Sequence, residues 1–148
     1  MTAVDVRKVL TDPSQGGAYF VDAQDAQDLA DAAGGLQFAV ARIELGGCRD
    51  KATALAAIAR GLRFPAWFGA NFDALADSLG DMSWLPARGY LLLLEHADAW
   101  READDDNFAM LLDVLNEAAA SWGDQGTPFW AVFPLQAEHA SHVSQLAM

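Results

Sequence analysis

One grouping of chemically capable side chains in this sequence is Asp73, Asp77 and Asp81, set in a stretch with no basic residue between Arg63 and Arg88. Asp73 and Asp77 are four apart, so on a helix they share one face, where like charges cost an isolated helix about 0.2–0.5 kcal/mol. Asp73 recovers part of that cost in the first turn, near the positive end of the helix dipole, whereas Asp77 gains little. Trp67, Phe68 and Trp84 stand around the acids, a high aromatic density for a loop that should meet solvent. Two readings are open on pattern alone. Aromatics around a charged centre describe a protein-binding hot spot. Alternatively, Trp67, Phe68 and Phe72 belong to the core and the aspartates form a solvated face.

Other groupings carry less. Cys48 and His96 could be written as nucleophile and base, but nothing in the sequence brings them together. Cys48 beside Arg49 reads as a bystander and His96, after an apolar run, as a surface or capping histidine. Glu138, His139 and His142 could share a face of a helical tail, a thin basis for a metal site. Asp104–Asp106 resembles a fragment of a calcium loop without its spaced ligands and glycine, and a helix start accounts for it. There is no glycine-rich phosphate loop, Cys-x-x-Cys, Gly-x-Ser-x-Gly or His-Glu-x-x-His. The expectation is a protein that is not an enzyme and uses no metal or other cofactor.

The elements that position these residues follow from periodicity. Ala18–Val21 reads as a short strand and Gln24–Ala33 as a helix closed by Gly34-Gly35. Phe38–Leu45 alternates, with Phe38, Val40, Ile43 and Leu45 as its apolar positions, and predicts a strand. Asp50 is set to cap a helix to Leu62, and Asn71 a short helix ending at Gly80. Gly89–Glu95 is an unbroken apolar run, as in a parallel strand buried on both faces. Asp104–Asn107 introduces a helix from about Phe108 to Trp122, and Pro128–Pro134 is the last strand. Strands alternating with helices predict a small three-layer α/β domain. The expected organisation is an N-terminal extension over residues 1–36, a main domain over 37–135 and a tail over 136–148.

The 148 residues are 53% hydrophobic, enough for one core without disulfides, and the single Cys48 cannot form an internal one. No run approaches the roughly 18–20 apolar residues that span a bilayer, and the start shows no signal-peptide pattern. A cytoplasmic protein is expected. With 21 Asp and Glu against 9 Lys and Arg, the formal charge is −12. Such a field repels nucleic acid and suits either a cationic partner or plain solubility.

The segment Phe64-Pro-Ala-Trp-Phe-Gly-Ala-Asn-Phe-Asp-Ala-Leu-Ala-Asp-Ser-Leu79 closely resembles the signature of the barstar family of ribonuclease inhibitors. The matching residues are Pro65, Trp67, Phe68, Gly69, Asn71, Asp73, Ala74, Leu75, Asp77 and Leu79, and the likeness runs through residues 37–135. The resemblance implies three parallel strands flanked by helices; the N-terminal segment has no counterpart in it, and its strand and helix could extend the sheet, cover an exposed edge or contact a different toxin. It implies that Trp67 and Phe68 contact the nuclease, that Gly69 and Asn71 give close backbone contact and polar anchoring, and that Asp73 and Asp77 pair with its Arg and Lys. Asp77 would take the place of a substrate phosphate, Glu117 would be an acidic contact from the later helix, and Trp84 an aromatic beside the binding helix. The implied partner is a small basic ribonuclease, bound by a protein that is monomeric when free, in an immunity or antitoxin role. Ala66 and Ala70 stand where the family often has acids, and Ala76 where it has a large aromatic. These departures leave open a barstar-fold interaction module that inhibits no nuclease.

Overall fold

The computed structural model describes residues 6–64, 71–82 and 85–135. In chain order the elements are α1 (Val6–Leu10), a 3-10 turn (Pro13–Gln15), β1 (Gly17–Asp22), α2 (Ala23–Gly35) and β2 (Ala39–Glu44). They continue as α3 (Lys51–Leu62), α4 (Phe72–Asp81), β3 (Tyr90–Glu95), α5 (Asp98–Ala103), α6 (Asp105–Asp124) and β4 (Phe129–Leu135). The strands form one sheet in the order β1-β4-β3-β2, parallel throughout. The expected three-stranded sheet is thus corrected to four strands. The N-terminal strand joins beside β4, from Gly17 opposite Trp130 to Asp22 opposite Leu135, and covers what would be an apolar exposed edge.

Burial of the central strands explains the layers. Leu92 and Leu94 of β3 enter a core with Phe129 and Phe133 of β4 and with apolar residues of α3, α4 and α6. Leu91 and Leu93 face the other way, into a second core with Trp130, Val132, Phe38, Leu10 and Ala26, Ala30 and Ala33 of α2. Fully burying a leucine stabilises by about 1.5–3 kcal/mol over leaving it in water, so a sheet apolar on both faces requires a layer on each. The alanines let α2 lie close to the strands. The Trp130 indole N–H donates to the Leu10 carbonyl at 3.1 Å and pins α1 to the same face.

Local details depart from expectation where the chain ends its elements. Both Gly34 and Gly35 remain helical, and the left-handed residue closing α2 is Gln37, at φ 66°. Its N–H and that of Phe38 donate to the carbonyls of Gly34 and Ala33, a Schellman closure made without glycine. Arg63, at φ 56°, ends α3 in the same way. Val40 is 37% exposed, while Ala41, Ile43 and Leu45 turn inward on the α3 side. Helices α1 and α5 are additional to the expected set. The short α5 is held by buried Trp100, whose indole N–H donates to the Asp104 carboxylate at 3.2 Å. Among the described residues no helix is long and apolar enough to cross a membrane.

Candidate functional site

Helix α4 carries Asp73, Asp77 and Asp81. Asn71 starts it from extended backbone, its Oδ1 accepting the Ala74 N–H at 2.7 Å. Leu75 and Leu79 are fully buried and Ser78 nearly so, which fixes one face of the helix to the core. Phe72 is half-buried, with the Lys51 ammonium 5.9 Å from its ring centroid. The opposite face is set by helical spacing: Asp73, Ala76, Asp77 and Gly80 are exposed. Among the described residues neither Asp73 nor Asp77 has an ion-pair partner. The helix is also tied down at its end, where the Trp122 indole N–H of α6 donates to the Leu79 carbonyl at 2.7 Å.

Glu117 comes from the helix against which α4 packs. Its neighbour Asn116 reaches β1, accepting the Ala18 N–H at 2.9 Å. Glu117 is the next residue, 100° further round α6, and exposed. The structure therefore brings Asn71, Asp73, Ala76 and Asp77 together on one rigid helix and sets Glu117 on the adjacent one. Trp67, Phe68, Gly69 and Trp84, together with Ala66 and Ala70, lie outside the described residues.

The remaining candidates resolve differently. His96 is exposed at φ 58°, with its Nδ1 2.7 and 2.9 Å from the two Glu44 carboxylate oxygens. Desolvation raises the Glu44 pKa, but hydrogen bonds from the Gly46 N–H and the His96 ring, with attraction to that ring, hold it below the usual carboxylate value. Cys48 is buried, so the imidazole is oriented by a carboxylate rather than toward a thiol. The Asp104 carboxylate accepts from the Trp100 indole and, at 3.0 Å, from the Asn107 amide, which makes it a clasp at the α5–α6 junction. Among the described residues no three His, Cys, Asp or Glu side chains are grouped to hold a metal ion. Glu138, His139 and His142 lie outside the described residues. Sequence reasoning did not find the open edge of β2, whose only trace in the chain is Val40 alternating with Arg42.

These features define a parallel α/β domain whose distinctive surface is a rigid acidic helix suited to contact with another protein. The model of the family described as Barstar (barnase inhibitor) matches residues 38–134, and the chain belongs to that family. The family is one of inhibitors rather than enzymes. No curated protein matches the sequence. Among solved structures the chain is similar to one described as the structure of the Aeropyrum pernix ORC2 protein (ADPNP-ADP complexes), with a TM-score of 0.53 and 16% sequence identity. That match covers 88% of this chain but only 37% of the other. At this identity the likeness is one of fold alone.

Proposed function

We propose that this chain inhibits a small basic ribonuclease by seating the exposed face of α4 in its active site. The observation that carries the reading is the pair Asp73 and Asp77, unpaired among the described residues on a helix whose other face is locked into the core. A ribonuclease concentrates cations and acid–base groups around a phosphate. A carboxylate held rigidly at that spot competes with the substrate without chemistry of its own. In this reading Asp77 takes the phosphate position, Asp73 and Glu117 meet flanking cations, and Asn71 keeps the helix start in register. Trp67, Phe68, Gly69 and Trp84 supply the surrounding contacts. Residues 37–135 form the inhibitory unit and residues 1–36 brace it, with the protein acting as a cytoplasmic monomer.

The test is titration of purified barnase and other small basic ribonucleases with this protein at two ionic strengths. Tight inhibition is expected, with association slowing as salt rises. Asp77→Ala should weaken it by at least about 30-fold, equivalent to about 2 kcal/mol, while Asp124→Ala should change it little. That magnitude is borrowed from charge pairs and hot spots measured on the barnase–barstar complex itself. Ala76, exposed between the two aspartates, favours a second reading, an interaction module that blocks no nuclease. Absence of inhibition at micromolar protein across the set selects it.

A further inference from the structure

The two edges of the sheet are treated unequally. At the β1 edge the Ala18 N–H, turned away from β4, is taken by Asn116 at 2.9 Å. At the β2 edge no such cap exists among the described residues. Ala39 and Leu45 donate to Gly89 and Glu95, each at 2.9 Å, so the odd-numbered residues of this strand serve β3. By alternation Val40, Arg42 and Glu44 turn their backbone groups to the open side. A groove of about 480 Å³ runs beside them, lined by Ala39, Ala41, Leu62 and Leu85 and by Arg42 and Arg63. Gly61 lets α3 lie close against β2 at one side of it: a Cβ there would meet the Ile43 side chain at 2.7 Å and the Arg42 carbonyl at 3.0 Å.

Charge indicates what the groove receives. Among the described residues no acidic side chain lines it. The charged side chains of its lining are Arg42 and Arg63. Arg42 also meets the Glu95 carboxylate at 3.5 Å, and Glu44 ends the strand, so Arg63 is the cation of the lining with no ion-pair partner among the described residues. A local inversion of sign beside an open strand edge describes a place where a strand adds.

We propose that the β2 edge docks an extended acidic segment of a partner protein as a fifth strand. Backbone bonds to Val40 and Arg42 hold it, and Arg63 selects its charge. A second copy of this chain fits less well, since it brings a net charge of −12. The proposal does not depend on ribonuclease inhibition, because a basic nuclease suits the acidic α4 and not this edge.

The probe is a fluorescein-labelled ten-residue peptide alternating Glu and Val, with a control carrying Lys in place of Glu. Binding is read by anisotropy and by amide shifts in the full-length protein. Val40→Pro removes an outward N–H that β3 does not use, a change edge strands tolerate. Arg63→Asn removes the charge with a residue that accepts the left-handed conformation. Saturable binding of the Glu peptide is expected, with shifts at residues 40–44. Each variant should weaken it at least fivefold with an unchanged circular dichroism spectrum, and the Lys peptide should bind at least tenfold more weakly. If Val40→Pro does not fold, Arg63→Asn decides. The proposal is overturned if the Glu peptide shows no saturation, if its shifts fall on α4, or if a folded variant binds as the wild type does. A concentration-dependent dimer abolished by Val40→Pro also overturns it, making a second copy the occupant.

Discussion

Asp73 and Asp77 repel each other across one turn, and nothing among the described residues neutralises them. A free protein that keeps such a pair is less stable than it could be. Asp77→Asn is therefore expected to raise the stability of the isolated protein by about 0.3 kcal/mol, measured by urea unfolding, while weakening nuclease inhibition. A fall in both would mean that Asp77 is structural. Asn71 acts on the other side of the balance, since its side chain satisfies an N–H that the helix start leaves unpaired. Asn71→Ala should cost about 1 kcal/mol of stability, seen as a lower urea midpoint. Both residues were legible in the sequence, because capping and i, i+4 repulsion are local rules. The environment of His96 was not, because Glu44 lies 52 residues away and meets it only after β2 and β3 pair.

Among the elements, α3 shows how a helix start sets acid sensitivity. The Asp50 carboxylate accepts the Thr53 N–H at 2.9 Å and its hydroxyl at 2.8 Å, and these bonds hold its pKa below the ordinary 3.8. A depressed folded-state pKa means that this contribution is complete above the unfolded value of 3.8. It is lost as pH falls through the lower folded value. Asp50→Asn, which can still cap, should flatten that part of the stability curve below pH 3.8 and leave it unchanged near neutrality, as followed by urea unfolding across pH. An equal slope in the variant would assign the acid sensitivity elsewhere. The α3, α4 and β3 positions were readable from spacing and flanking residues. The two short helices were not: α1 and α5 span five and six residues, too few for a periodic signal. They exist because Leu10 and Trp100 are buried in cores built by other elements.

At the scale of the molecule, the N-terminal segment forms a structural layer. It supplies β1, α1 and α2, and with them the cover over Leu91, Leu93, Trp130 and Val132. Deleting residues 1–36 should expose that face and give a protein that aggregates or binds a hydrophobic dye, even though the family match begins only at residue 38. A soluble, dye-negative, cooperatively unfolding truncation would show that the sheet can do without this layer.

Local composition determined much of this protein by itself: the four strands and the longer helices, the capping residues Asn71 and Asp50, the acidic face of α4 and the family signature that contains it. Those features depend on residues within a few positions of one another. Tertiary structure alone decided that the sheet has four strands, that Val40 faces solvent, that α6 packs against α4, and that among the described residues the β1 edge is capped while the β2 edge is not. These depend on pairings between residues far apart in the chain, and strand order leaves no periodicity in the sequence from which they could be read.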